Sequence, residues 1–544
     1  MFSLLSAIVF TNTIYLIFGK LISNSDNYNL KNFSNIAING FIYLSFLALL
    51  INFIFPLNMG INTLVIVSIF IFFFLKKKKI NKKEIYFLTI SILFCFLLIL
   101  FDTIYRPDAG LYHLPFIKIL NEEKIIFGLA NLHSRFGHIS IIQYTSAINY
   151  NFFSNDIGIL IPLISIYSFI TFYFIGDILN FLFNKKKMDF NYLSIIFSSL
   201  VLIYISYKIN RYSEFGNDAI AHLIFFYLIS KVINYKKFEY SKFVKIYLLS
   251  VFAILNKFTL IFSLIIPACI LLKDKISIKK VCLSLPTFFL CFWILRNIIT
   301  SGCAVYPQIN TCLTNLKWSD EKAVIYNSES SEAWAKDWPN RKNKSLSMLE
   351  YTKNFNWLVT WKNNHFKKVT KIVIPYLIIL VLILIFFKIK SQRIHAFNLN
   401  SLIFKISFMT SILGSLIFFL KFPIYRYGYS YFITSLILTL ILFIKYYDTK
   451  KMRKLSIFAL IIFFASFNFK QIDRYVEYHK IRNPIPQIYN EKKQHIKIDL
   501  AAGGFYNLSL NGSCMYDANL CTLFRNDKLK MTEKITYKMF STSQ

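Results

Sequence analysis

Two acids, three histidines and a few arginines stand out in a chain dominated by Phe, Ile, Leu, Lys and Asn. The richest stretch is RPDAGLYHLPFIKILNEEKIIFGLANLHSRFGH at 106–138, which brings Asp108, His113, His133 and Arg135 into one segment. A carboxylate beside imidazole and guanidinium groups can take a proton from a hydroxyl while positive charge holds a phosphate. A second acid, Asp218, opens an apolar run in RYSEFGNDAIAHLIFF, with His222 one helical turn deeper. Asn217 or Asp218 also suits a helix N-cap on capping and dipole grounds. Capping does not account for His222, because a polar ring inside hydrocarbon is costly unless it faces a cavity or a partner. Arg296 in FWILRNIITSG and Arg426 in KFPIYRYGYS fall at the outer ends of apolar runs. Snorkelling to headgroups explains either arginine alone. Acids, Arg and His at one depth instead give a base together with phosphate ligands at the level of a lipid headgroup. Asp102, at the end of the preceding run, reads as a partner for Arg106 or as a weaker candidate acid.

The elements that must position these groups are membrane spans. Of 544 residues, 56% are hydrophobic and 16% charged, and the mean hydropathy is +0.50. One soluble core could not hide that much apolar surface. Runs such as NIAINGFIYLSFLALLINFIF and VIPYLIILVLILIFF approach the roughly 20 residues that cross about 30 Å of hydrocarbon. The opening MFSLLSAIVFTNTIYLIFGKLI has neither a basic start nor a small-residue cleavage site, which reads as a retained helix. A net charge of +35 does not point to nucleic acid, because the lysines sit in short loops between spans. KKKKINKK (76–83), NKKK (184–187), NYKKFEYSKFVK (234–245), KDKISIKK (273–280), KIKSQR (388–393) and KYYDTKKMRK (445–454) are these loops. They follow the positive-inside pattern, with anionic lipid headgroups as partners. No P-loop, no GxGxxG, no HExxH and no GxSxG occurs, so ATP-driven transport and Rossmann chemistry have no support.

With every basic loop on one side, spans fall near 1–22, 37–56, 59–76, 84–104, 156–181, 190–208, 218–235, a pair within 244–272, 279–299, 371–388, 401–421, 429–446 and 454–470. Parity demands the pair, turning near Asn256 and Lys257; a re-entrant hairpin is an equal description. The other side then receives the 106–138 stretch, the loop before Asp218, the 300–370 segment, the Arg426 loop and the tail from about 471. Pro107 is expected to stop the helix ahead of Asp108. LYHLPFIKIL and FGHISIIQYTSAI read as amphipathic helices lying in the interface, a shelf around Asp108.

Cysteine placement agrees with this sidedness. Cys95, Cys269, Cys282 and Cys291 fall in the expected spans, whereas Cys303, Cys312, Cys514 and Cys521 form two close pairs outside them. Disulfides Cys303–Cys312 and Cys514–Cys521 suit an oxidising exterior; a Cys₄ metal site is the lesser reading. The tail alternates in HIKIDL and FYNLSLNG, the pattern of a small external lid with some strand. Trp318, Trp334 and Trp338 suit interfacial anchoring, with sugar stacking as the alternative.

This arrangement resembles the GT-C superfamily of polytopic glycosyltransferases, which take a sugar from a polyprenyl-phosphate or polyprenyl-diphosphate carrier on the outer face of a membrane. YHLPFIKILNEEKIIFGLANLHSRFG, RNIITSGCAVYP and the Arg426 loop also resemble motifs of bacterial multi-pass proteins described as glycosyltransferase-like. The resemblance implies an all-α polytopic fold with three leading spans in 1–83, a seven-span catalytic module over 84–299 and an external segment at 300–370. Four further spans over 371–470 and a small external α+β domain at 471–544 complete it. It implies Asp108 as the base, with inversion at the anomeric carbon, and Arg426, Arg296 and His113 on the leaving phosphate. His133 and Arg135 complete the substrate-binding set, while Asp218 and His222 would orient the acceptor. A divalent metal, Mg or Mn on Asp108 and Asp218, enters only for a diphosphate donor; the acid motif is PDAGLYH where better-known branches carry an Asp-Glu pair. The implied partners are a polyprenyl-linked sugar and a cell-envelope glycan, lipid or protein acceptor. The implied location is a bacterial inner membrane with the site facing the periplasm. A polysaccharide polymerase or ligase, or a lipid-linked glycan flippase or transporter, is the alternative. The first would carry its key arginines in the large loop, the second its ionisable groups near the bilayer midplane.

Overall fold

A computed structural model describes the chain except residues 24–28, 103–106, 184–190, 210–211, 214, 217, 236–237, 389–394, 482, 491–493, 501–502, 535 and 543–544. Among the described residues six helices are long and apolar enough to cross a membrane: Phe2–Ile22, Leu30–Asn52, Asn155–Phe183, Leu358–Lys388, Leu402–Lys421 and Thr449–Tyr478. Five shorter apolar helices join them, at Met59–Leu75, Tyr192–Lys208, Phe258–Lys273, Leu285–Ser301 and Tyr429–Ile444. The chain is therefore a multi-pass helical membrane protein. Burial sorts the long helices: 94% of the apolar window in Asn155–Phe183 is buried, against 22% in Leu358–Lys388 and in Thr449–Tyr478. The first is the hub of the bundle, and the other two turn apolar faces outward as a bilayer requires.

Close backbone contact sets the first helix pair. A Cβ on Gly40 would lie 1.9 Å from the Tyr15 carbonyl oxygen and one on Gly19 1.9 Å from that of Ile36, the small-residue packing that membrane helices favour. Two ends of the bundle are then distinguishable. At the basic end Lys20 Nζ donates to the Lys79 carbonyl (2.6 Å) and pairs with Glu84. At the opposite end Asn62 Nδ2 donates to the carbonyls of Leu57 (2.6 Å) and Tyr150 (2.7 Å), and Asn121 Nδ2 to that of Ala147 (2.9 Å). These amides tie the 107–150 shelf onto the spans. The shelf contains helices Leu114–Glu122 and Ile141–Ile148 with two 3₁₀ turns between them, Leu129–Asn131 and Ser134–Gly137. The reversal within 244–272 falls at Lys257, between Tyr240–Asn256 and the 3₁₀ turn Phe258–Leu264.

Several boundaries differ from the sequence reading. The helix Lys82–Ile99 ends before Pro107, and Phe101 takes a left-handed φ of 56°; Pro107 instead opens the next helical turn, where its missing N–H costs nothing. The last long helix runs to Tyr478, beyond the expected 470, because its polar turns find partners. Lys470 Nζ donates to the carbonyl of Ile209 (2.9 Å), and Arg474 Nη1 to that of Leu98 (2.8 Å). Cys282 lies on the short exposed helix Ile278–Cys282, ahead of the next long helix.

Beyond Tyr478 lies the small sheet segment. His495–Asp499 pairs antiparallel with Phe505–Ser509, Cys521–Thr522 joins that strand in parallel, and Leu529–Lys534 forms a hairpin with Tyr537–Thr542. Both external cysteine pairs are disulfide-bonded. The tail docks onto the shelf by backbone hydrogen bonds: the amides of Cys514 (3.0 Å) and Met515 (2.9 Å) donate to the Gly110 carbonyl, and Phe540 donates to Phe127 (2.8 Å). The approach is close: a Cβ on Gly110 would meet Ser513 Oγ at 2.2 Å and Met515 Sδ at 2.5 Å, so those side chains would have to move aside.

Candidate functional site

Asp108 stands at the head of a π turn, Ala109–His113, that leads into helix Leu114–Glu122. Such wide turns are frequent at functional sites. Asp218 is the first residue of helix Asp218–Asn234. Arg426 sits on a 3₁₀ turn, Tyr425–Tyr427, between two membrane helices. That turn is pinned from four sides. His222 Nε2 donates to the Arg426 carbonyl (2.9 Å), Thr259 Oγ1 to the Tyr427 carbonyl (2.9 Å) and Trp361 Nε1 to the Pro423 carbonyl (2.7 Å), while Tyr204 and Tyr425 share a hydroxyl hydrogen bond of 2.9 Å.

The guanidinium lies between the two acids. Arg426 Nη2 is 3.5 Å from Asp108 Oδ2, and its Nε is 3.7 Å from Asp218 Oδ2. Lys257 pairs with the other oxygen of Asp218 and lies 4.0 Å above the Tyr427 ring. The distances to Arg426 exceed those of strong charge-assisted hydrogen bonds, so an incoming anion can compete for the guanidinium. Access differs between the acids: the Asp108 side chain is 33% exposed and that of Asp218 16%. Burial lowers the pKa of Arg426, but Tyr427, Asp218 and Asp108 more than offset this and the net shift is upward. Burial, reinforced by Asp108, likewise raises the pKa of the Tyr112 phenol, which stays a donor.

His113 lies behind the acids as a buried neutral ring. Burial lowers its pKa to about 4 despite the attraction of Asp108 and Asp218. Its tautomer follows from the network. The Ser140 amide donates to Gln143 Oε1 (3.1 Å), which leaves Gln143 Nε2 to donate to His113 Nδ1 (2.7 Å); the ring proton is thereby assigned to Nε2. His133, also lowered to about 4 by burial, accepts from the Arg135 amide at 3.1 Å. It lines a separate cavity of about 280 Å³ with Asp320, Asn327 and Phe524. Both imidazoles are neutral in the folded protein and bind protons below their ordinary pKa of about 6.5 once unfolded. Their stabilisation is therefore complete above pH 6.5 and declines as pH falls towards 4. Melting temperatures in detergent should fall across that window, reflecting up to about 3 kcal/mol for each ring.

Other expectations meet a different arrangement. Arg296 meets the shelf but is fully buried there: it donates to the Tyr144 hydroxyl (3.2 Å) and the Phe136 carbonyl (3.4 Å), and stacks over Trp293. Its role is to hold the shelf against helix Leu285–Ser301. His222 is likewise fully buried, bonded through Nδ1 to Ser430 Oγ (2.7 Å). Both ring nitrogens thus have partners, and the ring positions Arg426 through the backbone. Arg135 is exposed on the shelf, within electrostatic reach of Tyr112. Asp102 pairs with Arg474 at 3.2 Å and accepts from the amides of Tyr212 (2.6 Å) and Ser213 (2.7 Å); Arg106 and Asn217 lie outside the described residues. Trp318 donates to the Ile298 carbonyl (2.9 Å), Trp338 stacks under Arg341 at 3.5 Å, and Trp334 is exposed.

A divalent metal does not fit between Asp108 and Asp218, because Arg426 bridges them and Lys257 occupies the far oxygen of Asp218. Among the described residues no group of three or more His, Cys, Asp or Glu gathers as a metal site. The site residues that sequence reasoning missed are Lys257 and Tyr427. For Lys257 a signal existed: it is a lysine at the end of the bundle opposite the basic loops, where orientation does not require one.

The family described as Domain of unknown function (DUF8201) matches residues 1–433. The chain belongs to the DUF8201 family. The match takes in Asp108, Asp218, Lys257 and Arg426, and stops short of the tail that docks on Gly110. No curated protein matches this DUF8201 chain, and no solved structure does.

Proposed function

We propose that this DUF8201 protein is a membrane glycosyltransferase that moves a sugar from a polyprenyl-phosphate carrier to a cell-envelope acceptor, with Asp108 as the base. The carrying observation is the accessible Asp108 carboxylate facing a guanidinium 3.5 Å away, at the end of the bundle away from the basic loops. In this reading Asp108 takes the proton of an acceptor hydroxyl as its oxygen attacks the anomeric carbon. The bond from that carbon to the phosphate oxygen breaks, and the carrier phosphate leaves with the electron pair. Arg426 and Lys257 stabilise the developing negative charge. Asp218 holds the two cations in place, and His222 fixes the Arg426 backbone. The helices from Lys82–Ile99 to Leu285–Ser301 act as the catalytic module, under a lid formed by the disulfide-bonded tail. The site faces the periplasm of a bacterial inner membrane, where disulfides persist.

The test uses the full-length protein in detergent with a panel of radiolabelled polyprenyl-phosphate sugars and envelope acceptors. Transfer with inverted anomeric configuration is expected. Retention of configuration would remove Asp108 from the role of base. Labelled glycan crossing vesicles with no donor consumed would replace the transferase by a transporter.

A further inference from the structure

A second basic, polar site lies on the same side of the membrane, away from Asp108. The external segment folds into helix Glu321–Ala335, the 3₁₀ turn Trp338–Asn340 and the helix that becomes the Leu358–Lys388 span. Between the last two of these is a cavity of about 710 Å³. Lys367, Lys368 and Lys371 line it, with Asn340, Asn364 and Asp337.

The floor of the cavity is built. Asp337 adopts a left-handed φ of 69° and is largely buried. Its carboxylate accepts from Asn340 Nδ2 (2.8 Å) and Asn364 Nδ2 (2.5 Å), so both oxygens are engaged inside the wall. A second π turn, Lys362–Phe366, widens the helix where Asn364 sits, as the first does beside Asp108.

The lysines are unlike their neighbours. Lys336 and Lys421 share Glu332, whereas Lys367, Lys368 and Lys371 have no ion pair among the described residues and are exposed. Three lysines against the single carboxylate of Asp337, which has His365 Nε2 3.8 Å away, leave the cavity net positive. Directly below, on the same helix face, Ile374, Ile378, Leu382 and Ile385 are each about half exposed. Positions 367, 371, 374, 378, 382 and 385 follow the helical repeat, which places cations above a continuous apolar stripe. Simple snorkelling would need the lysines alone and no amide-lined cavity.

We infer that this cavity binds the phosphate headgroup of an anionic membrane lipid, whose hydrocarbon chain lies along the exposed face of the Leu358–Lys388 span. Trp361, which donates to the Pro423 carbonyl, lies three residues ahead of Asn364 and joins this wall to the Arg426 turn. The bound lipid thus abuts the element that carries Arg426 without occupying the Asp108 site.

The test is native mass spectrometry of the full-length protein in detergent, titrated with phosphatidylglycerol, with phosphatidylcholine or with inorganic phosphate. Phosphatidylglycerol should bind wild type in preference to the other two. K367Q/K371Q should weaken that binding roughly 25-fold, about fivefold for each lysine near the headgroups, with an unchanged gel-filtration profile. I378S, which keeps the cations and interrupts the stripe, should weaken it by a smaller factor. Equal affinity for phosphatidylcholine, or a K367Q/K371Q variant that binds phosphatidylglycerol like wild type, would overturn the site. Inorganic phosphate binding as tightly as the lipid would overturn the lipid assignment in favour of a soluble anion.

Discussion

Asp108→Asn is expected to lower sugar transfer about 1,000-fold while leaving the protein folded. The amide keeps the size of the carboxylate and cannot take the acceptor proton, and general-base catalysis contributes roughly 10²–10⁴. Folding should barely change, because Asp108 is a third exposed and its pair with Arg426 is long at 3.5 Å. Such an exposed pair contributes about 1 kcal/mol or less. The measurement is initial-rate transfer beside a thermal melt of the same preparation. A variant that transfers like wild type would mean that another group is the base. A large loss accompanied by a large drop in melting temperature would mean that Asp108 matters for structure.

Arg426→Gln should be nearly as damaging, for a different reason. The guanidinium serves three groups at once: it faces Asp108, faces Asp218 and hydrogen-bonds to the Tyr427 hydroxyl at 3.5 Å. Without it, two carboxylates share the site with Lys257 as the remaining cation described beside them, and an incoming phosphate meets repulsion. Removing one preorganised donor from developing negative charge costs about 10²–10³ in rate. A fall in kcat/KM of that order is expected, with donor KM rising as well because the ground-state phosphate is also held. Arg426→Lys should recover only part of it, since an ammonium is a point charge that cannot bridge two acids as a planar fork does. Full activity in the glutamine variant would separate Arg426 from the phosphate and leave it a structural bridge.

His222→Ala separates positioning from contact. The ring reaches the Arg426 carbonyl, not the guanidinium, so its loss should disturb Arg426 placement and leave Asp108 untouched. Its bond to Ser430 and its contact with the Tyr429 ring give this histidine inside a span the partners that a polar group there requires.

The sequence by itself determined that the chain is multi-pass, which end of the bundle carries the basic loops, and which side gathers Asp108, Asp218 and Arg426. It also determined both disulfide pairs and the first two strands of the tail, in HIKIDL and FYNLSLNG, but not the three that follow. These follow from local quantities: apolar run length, the distribution of lysine, cysteine spacing and alternation along a strand, each of which is written in consecutive residues. Tertiary structure alone decided which polar groups meet. Arg296 and Arg426 look alike in sequence, each at the end of an apolar run, yet one is fully buried against Tyr144 and the other bridges two acids. Lys257 looked like a mere turn residue until the hairpin brought it to Asp218, 39 positions away. The helix end at Ile99, the extension to Tyr478 and the docking of the tail on Gly110 depend likewise on partners remote in the chain. A side chain's role in a membrane bundle is set by what stands across from it, and that is a property of packing between segments which no single segment encodes.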